Sequence, residues 1–173
     1  MNDPVLGEVT LSEETDPRPV AVLEVDGVLV LEDPAVPVTQ VTVHAYGSKW
    51  ARHVRVPTAA PGIVARLAER FDIVWASAWS HNAHPALREV LGLPEQPWPF
   101  LPVQFRKLPA IRAYAAGRAW VLIDDSIHDF GLVADQPDGL LVPVDPGRGI
   151  TAIDPDGLRA ELDRHCPALL TRG

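Results

Sequence analysis

Cysteine, long apolar runs and a targeting signal are the features that this chain of 173 residues most clearly lacks. Its single cysteine, Cys166, excludes an internal disulfide and is typical of proteins of the reducing cytoplasm. No apolar stretch reaches the length needed to span a membrane, and the acidic beginning lacks the basic-then-apolar layout of a signal peptide. We therefore expect a cytoplasmic protein with no membrane partner.

Positive charge is also in short supply. The chain has 15 basic and 23 acidic residues, which gives a formal net charge of −8. This balance argues against broad, sequence-independent binding to nucleic acids, because such binding needs a basic surface. A local basic site remains compatible with it. Only two of the basic residues are lysines, Lys49 and Lys107, so each is a candidate for a specific role.

The length and the hydrophobic content of 47% fit one globular domain with its own core. The acidic, proline-containing residues 1–18 predict a loosely held leader, and residues 19–173 predict a single domain. Four short apolar segments rich in branched side chains predict buried strands: 20–25, 71–77, 119–125 and 139–145. Segments with an apolar stripe or a helix start signal predict helices: 58–71, 81–92, 107–117 and 155–165.

A hairpin is predicted between the first strand and the first helix. Residues 38–56 alternate apolar and polar side chains on either side of Gly47 and Ser48, which is the pattern of a β-hairpin. Elsewhere, strands alternate with helices, which indicates βαβ units with a mostly parallel sheet. We therefore predict a three-layer, Rossmann-like α/β fold with helices on both faces of the sheet and a small hairpin flap.

Acidic and hydroxyl side chains follow three of the predicted strands at their carboxyl ends. Glu24 and Asp26 follow the first strand, Ser77 ends the second, and Asp124 and Asp125 end the third. Ligands of open α/β sheets bind outside the carboxyl ends of the strands, so we expect these side chains to converge. Carboxylate oxygens are ligands that suit Mg²⁺, which in turn binds substrate phosphate.

Acids gathered at one edge of a sheet repel each other and need a compensating cation. Lys107 lies just before the helix that leads into the third strand, and it can supply that charge. A hydroxyl and an ammonium beside Mg²⁺ would hold the oxygens of a phosphate group and offset the charge of a transferred phosphoryl group.

Four short motifs between residues 20 and 129 resemble those of the haloacid dehalogenase (HAD) superfamily of phosphohydrolases. The first, Asp-x-Asp-Gly after a buried strand, is matched by LEVDGV with Glu24 in its leading position. The others are matched by Ser77 in VWASAW, by Lys107, and by the acidic pair in VLIDDS. The phrasing VWASAWSHNAHPALREVLGLP is most similar to a compact, mostly bacterial subgroup related to the HAD domains of multidomain RNA-repair proteins.

The resemblance implies covalent phosphoryl transfer. Glu24 would be the nucleophile that takes the phosphoryl group, and it would also bind Mg²⁺. Asp26 would protonate the leaving group and then activate water, with its backbone carbonyl on the metal. Covalent catalysis of this kind divides one difficult displacement into two easier ones.

The resemblance also implies roles for the other matched residues. Ser77 and Lys107 would hold the phosphoryl oxygens, and Asp124 and Asp125 would complete the metal site. Mg²⁺ is thus the implied cofactor, and a phosphorylated small molecule or nucleic-acid end is the implied substrate.

The large insertions that serve other members of the superfamily as caps are absent here. His44 and Tyr46 share one face of the first hairpin strand, and His53 and Arg55 share one face of the second, so these four are candidate substrate contacts. Trp79 is interpreted either as a core residue or as a border of the pocket. An uncapped site can admit large or chain-like substrates, or a second subunit can cover it in a homodimer.

Glu24 departs from the family pattern, which has Asp at this position. Its extra methylene displaces the attacking oxygen by about 1.5 Å unless the side chain folds back, and a displacement of about 1 Å can slow a reaction about a hundredfold. Three hypotheses stay open. The chain is a phosphatase of reduced or altered activity, a regulatory module that binds metal and phosphate without turnover, or a scaffold for acid–base chemistry by Asp26 without a phosphoenzyme.

Overall fold

The computed structural model describes residues 18–45, 49–103, 106–127 and 135–170, so the predicted leader lies outside it except for Arg18. The strands in chain order are β1 (Val20–Leu23), β2 (Val38–His44), β3 (Ala51–Pro57), β4 (Asp72–Trp75), β5 (Trp120–Asp124), β6 (Asp135–Gln136) and β7 (Gly139–Pro143). The helices are α1 (Ala60–Arg70), α2 (Ala83–Leu91), α3 (Lys107–Ala115), α4 (Pro155–His165) and α5 (Pro167–Leu170).

In the described part of the chain, five strands form the central sheet in the order β4-β1-β5-β7-β6. The first four are parallel, and β6 extends the edge in the antiparallel direction. The four predicted strands are therefore confirmed and lie side by side, but β7 is mostly half-buried and not buried as predicted. The sequence does not predict β6, because two residues are too few to show an alternation. This mostly parallel sheet with flanking helices is consistent with a Rossmann-like α/β fold.

Side chains alternate along the strands and so contribute to two separate cores. Ala21 and Leu23 of β1 belong to a cluster that also contains apolar residues of α1, α2 and α4. Val20 and Val22 point to the opposite face, where α3 contributes Ile111. All four residues of β1 are fully buried, so β1 lies at the centre of a three-layer arrangement.

The helices begin and end near the predicted positions for local reasons. Pro61 occupies the first turn of α1, where its missing N–H is harmless, and α2 ends at Gly92, whose φ of 65° is left-handed. The start of α2 is two residues later than predicted, because Ser80–Asn82 forms a 3-10 turn. Asp154 directly precedes α4, and its side chain forms no capping hydrogen bond. No helix within the described ranges combines the length and the apolar character needed to cross a membrane.

A proline-rich segment connects α2 to α3 along the edge of the sheet. The N–H of Trp75 in β4 donates to the carbonyl of Pro99 at 2.9 Å. His84 of α2 is buried, and its Nε2 lies 2.8 Å from the carbonyl oxygen of Pro94. These contacts position the segment that leads to Lys107, the first residue of α3.

The predicted hairpin is confirmed as a separate two-stranded sheet. β2 and β3 pair in the antiparallel direction with Thr42 opposite His53, and the turn residues 46–48 lie outside the described residues. Val43 and Val54 are buried in the same core cluster as α1 and α2. The hairpin is therefore packed against the body of the protein through the apolar half of its alternation.

The loop that follows β1 is tied to two distant parts of the chain. The carbonyl of Val28 accepts a hydrogen bond of 2.7 Å from the N–H of Ile150, and the N–H of Leu31 donates to the carbonyl of Arg55 at 2.9 Å. Gly149 lies so close that an added Cβ would come within 2.2 Å of the Val28 carbonyl oxygen, and its φ is 54°. A residue with a side chain does not fit at this position.

We expect Gly149→Ala to lower the free energy of unfolding by more than about 2 kcal/mol, because the new methyl group would meet a backbone carbonyl and the φ is left-handed. Gly62→Ala is the control, since it adds a methyl group to α1 in open space and should raise the free energy of unfolding by about 0.4–1 kcal/mol. Urea unfolding measures both changes. Equal midpoints for Gly149→Ala and the native chain would contradict the prediction.

Candidate active site

The carboxyl ends of β1 and β5 meet at a reversal of the strand order. The chain passes from β1 to β4 on one side, and β5 pairs with β1 on the other side. Open α/β sheets bind their ligands at such a reversal. Glu24 and Asp26 follow β1, and Asp124 is the last residue of β5, with Asp125 next. The structure therefore places the predicted acids at the edge of the sheet where a ligand would bind.

Lys107 connects these strand ends through its ammonium group. Its Nζ lies 2.6 Å from Oε2 of Glu24, 2.7 Å from Oδ2 of Asp124 and 2.8 Å from the carbonyl oxygen of Ala76. These three acceptors use all three N–H donors of an ammonium. Lys107 is only 4% exposed, so it forms a buried bridge between the ends of β1, β4 and β5.

Two opposing effects act on the pKa of Lys107. Burial disfavours the charged ammonium and by itself lowers the pKa, but the charges and hydrogen bonds of Glu24 and Asp124 together outweigh it. The pKa therefore lies above its ordinary value of 10.5. Because the folded state holds this proton more tightly, the stabilisation is present at neutral pH and is lost as the pH rises through the raised pKa.

Glu24 folds back on its own backbone. Its Oε1 accepts a hydrogen bond of 2.8 Å from the N–H of Val25, while its Oε2 accepts one from Lys107. This conformation takes up the extra methylene that distinguishes Glu from Asp. The carboxylate therefore stays beside Lys107 instead of extending past it.

Asp124 is bound at both of its oxygens. Oδ2 accepts from Lys107, and Oδ1 accepts from the backbone N–H and the hydroxyl of Ser126, each at 2.9 Å. Asp124 is fully buried, so these bonds replace its contacts with water. The sequence analysis does not identify Ser126, although a Ser two positions after an Asp is a common signal of such a turn.

Asp125 carries the uncompensated charge of this cluster. Burial, followed by the neighbouring charge of Asp124, raises the pKa of Asp125 to about 6, and Glu24 adds to the effect. Its carboxylate lies against Gly27, where an added Cβ would come within 2.1 Å of Oδ2. Gly27 also has a left-handed φ of 75°, so a glycine is required beside this acid. The raised pKa thus reflects the burial of Asp125 first and the neighbouring acids second.

Asp26 is bound by the indole of Trp79. Nε1 of Trp79 lies 3.2 Å from Oδ1 and 3.1 Å from Oδ2 of Asp26. Trp79 is buried and packs edge-on against Trp50, with 5.3 Å between ring centres. The guanidinium of Arg52 lies 5.4 Å from the centres of both rings. Trp79 thus packs in the core and also links the hairpin to Asp26.

Ser77 lies in the loop just after β4 and is buried. Its Oγ accepts a hydrogen bond of 3.2 Å from the N–H of Trp79. It also follows Ala76, whose carbonyl binds Lys107. Ser77 is therefore linked to Lys107 through the neighbouring residue Ala76. It is linked to Asp26 through Trp79.

In the part of the chain that the structure describes, only two of the four hairpin residues predicted to contact a substrate are found to line a space beside the site. His53 and Arg55 line a cavity of about 360 Å³ that Asp26 also borders, and they line an open depression of about 480 Å³ on the hairpin. Among the described residues, His44 does not line either space. Tyr46 lies outside the described residues.

Arg52 is a cavity-lining residue that the sequence analysis misses. It lies opposite Val43 and two residues before Val54, so it shares a face of β3 with these two buried residues, although Arg52 itself is exposed. A charged residue at such a position is the signal that could have identified it. Arg52 reaches over Trp79 and borders the same cavity as Asp26.

Glu24, Asp26, Asp124 and Asp125 form the acidic edge of the sheet. Their carboxylate oxygens are the donors that Mg²⁺ prefers, and together they carry more negative charge than Lys107 neutralises. The four carboxylates are nevertheless not assembled around a common point. Within the described ranges, no three His, Cys, Asp or Glu side chains are arranged to hold a metal ion. Glu24 and Asp124 both contact Lys107 instead, so Asp26 and Asp125 are the predicted ligands that the lysine does not bind.

No family model matches the chain, and no curated protein or solved structure shows a significant match to it.

We expect Lys107→Met to lower the free energy of unfolding by about 3–5 kcal/mol, because it leaves Glu24 and Asp124 without their shared buried cation. Arg66→Met is the matched control. It removes a cation from a solvent-exposed pair with Asp156, which should cost less than about 1 kcal/mol. Urea unfolding at neutral pH gives both values, and a loss in Lys107→Met no greater than that in Arg66→Met would contradict the prediction.

We expect Asp125 to make the metal-free protein less stable as the pH rises from 3.8 to about 6. Its pKa is higher in the folded chain, so between these values the folded state binds the proton more tightly, and that advantage disappears once both states are ionised. Asp125→Asn should remove this part of the pH dependence.

Urea unfolding with a chelator, at about pH 4 and about pH 7, measures this change in Asp125→Asn. Glu161→Gln, on the exposed side of α4, controls for the loss of a carboxylate. If Asp125→Asn and Glu161→Gln depend on pH to the same extent, the interpretation of Asp125 is wrong.

Proposed function

We propose that this chain is a Mg²⁺-dependent phosphohydrolase of the haloacid dehalogenase type that acts on phosphomonoesters. The observation that carries the proposal is the ammonium of Lys107 bound between Glu24 and Asp124. These two acids come from motifs at the ends of different strands, and the matched lysine comes from a third segment. Their meeting at one group supports the proposal, because the resemblance requires these three motifs to share a site.

Glu24 is assigned to nucleophilic attack and Asp26 to proton transfer. Attack of a Glu24 oxygen on phosphorus forms an acyl phosphate, and Asp26 gives a proton to the departing alkoxide. Asp26 then takes a proton from water, which attacks the acyl phosphate and releases inorganic phosphate. Trp79 binds both oxygens of Asp26, and this contact supports the assignment because a general acid needs a defined position.

Lys107 and Ser77 are assigned to the phosphoryl oxygens. A buried ammonium is a strong partner for charge that develops in the transition state, since little water competes for it. Mg²⁺ would be held by Asp125 and by Asp26 through its backbone carbonyl, and its binding by Glu24 or Asp124 would require a shift of their contacts with Lys107. When bound, Mg²⁺ would supply neutralisation of the phosphate charge.

The hydrogen bonds of Glu24 limit the rate that we expect. Folding back keeps the carboxylate near the position that a shorter Asp would occupy. Both oxygens are engaged, however, one by Val25 and one by Lys107. Attack requires one of these bonds to loosen, so turnover should be slower than with Asp at position 24.

A metal- and phosphate-binding regulatory module is the second candidate, and the same hydrogen bonds favour it. A carboxylate satisfied at both oxygens is a weak nucleophile, yet the lysine and the acidic edge remain suited to bind phosphate and metal. Such a module would bind the ligands of the phosphohydrolase without turning them over.

We propose a phosphorylated small molecule or a phosphorylated nucleic-acid end as the substrate, and the cytoplasm as the compartment. The absence of long insertions in the sequence supports an open site. The single cysteine supports a reducing environment.

We expect Glu24→Asp to hydrolyse p-nitrophenyl phosphate with Mg²⁺ at least about tenfold faster than the native chain, because Asp places its oxygen without folding back. Asp26→Asn should reduce turnover about a hundredfold or more, because it cannot transfer the proton. Initial rates of phosphate release measure both effects, and Glu161→Asp on α4 is the matched control for shortening a Glu.

The outcomes separate the two candidates. Native turnover that disappears in Asp26→Asn supports the phosphohydrolase, whereas activity seen only in Glu24→Asp supports the binding module. If no variant releases phosphate and calorimetry detects no Mg²⁺ binding, the phosphohydrolase proposal is wrong.

A further inference from the structure

A cavity that three basic residues help to line lies beside Asp26, the residue assigned to proton transfer. The cavity of about 360 Å³ is bordered by the loop after β1, by β3 and by Trp79. Its basic side chains are Arg52, His53 and Arg55 of β3. Three basic residues therefore line one space in a chain whose formal net charge is −8.

Neither arginine of this cavity has an acidic partner within the described residues. The ion pairs found there involve other basic residues, whereas the guanidinium of Arg52 lies over the rings of Trp50 and Trp79. Glu32 also borders the cavity but pairs with neither Arg52 nor Arg55. Arginine stays protonated at any physiological pH, so both guanidinium groups keep their charge without a direct ion pair, and the carboxylates of Asp26 and Glu32 border the same cavity.

Direct contacts fix the spacing between these cations and the site. The carbonyl of Arg55 accepts a hydrogen bond from the N–H of Leu31, which attaches β3 to the loop after β1. Trp79 contacts Arg52 with its ring and Asp26 with its Nε1. A ligand held by the arginines would therefore extend toward Asp26 at a restricted distance.

We infer that this cavity is the subsite for a second anionic group, so that the preferred substrate is a compact phosphomonoester carrying another phosphate. The inference rests on the proposed function, which puts the reacting phosphoryl group beside Asp26. A guanidinium group suits a phosphate, because the phosphate oxygens accept its paired N–H bonds, and Arg52 and Arg55 both line the cavity. A long polyanion is disfavoured, because the chain as a whole is acidic.

The test compares adenosine 5′-monophosphate with adenosine 3′,5′-bisphosphate by isothermal titration calorimetry. The full chain carries Asp26→Asn in every sample, so that turnover does not interfere. We expect the bisphosphate to bind about tenfold more tightly, since charged hydrogen bonds contribute on this scale. Adding Arg55→Gln should reduce the preference to about twofold or less.

Two further variants in the same background make the test specific. Arg52→Lys keeps the charge but loses the planar set of donors, so it should reduce the preference only in part. Arg88→Gln is the matched control, because Arg88 is exposed on α2 and has no ion pair in the described part of the chain. It should leave the preference unchanged.

Equal binding of the two nucleotides would overturn the inference. So would a preference that falls as much in Arg88→Gln as in Arg55→Gln, because overall charge would then explain it. Tighter binding of a 5′-phosphorylated oligonucleotide than of the bisphosphate would overturn the choice of a compact substrate. The proposed function fails by a different measurement, the absence of phosphate release by the native chain, and a binding preference without turnover would support the subsite within a binding module.

Discussion

The buried ammonium of Lys107 is the interaction on which the rest of the site depends. It holds Glu24 and Asp124, which lie 83 and 17 residues away in sequence, and it also binds the carbonyl of Ala76 after β4. Without a cation, two buried carboxylates at the same edge of the sheet would repel each other. The lysine can occupy this place because α3 begins with it, next to the reversal in strand order.

A second set of contacts links the hairpin to the chemistry of the site. Trp79 binds both oxygens of Asp26 and packs against Trp50, and Arg52 lies over both rings. The buried apolar half of the hairpin anchors this arrangement in the core. The hairpin thus reaches Asp26 through a side chain from the loop after β4.

The regular elements could be predicted because their signals are local. Short apolar segments identify the four parallel strands, and Gly92 ends α2 as expected. The two-residue strand β6 and the late start of α2 could not be predicted, because neither leaves a periodic pattern. Of the candidate site, the acids, Ser77 and Lys107 were nominated from motif order, whereas Ser126 and Arg52 were not. Both leave a local signal in the sequence, but only the coordinates show that Ser126 binds Asp124 and that Arg52 lies over Trp79.

By itself, the sequence determined an α/β chain whose strands deliver carboxylates to one edge of the sheet, because periodicity and strand-end positions depend only on neighbouring residues. Only the tertiary structure decided how those charges are shared. It assigned Lys107 to Glu24 and Asp124, left Asp125 with a raised pKa, and folded Glu24 back onto Val25. These outcomes depend on distances between residues far apart in the chain, and such distances exist only once the strands are packed side by side.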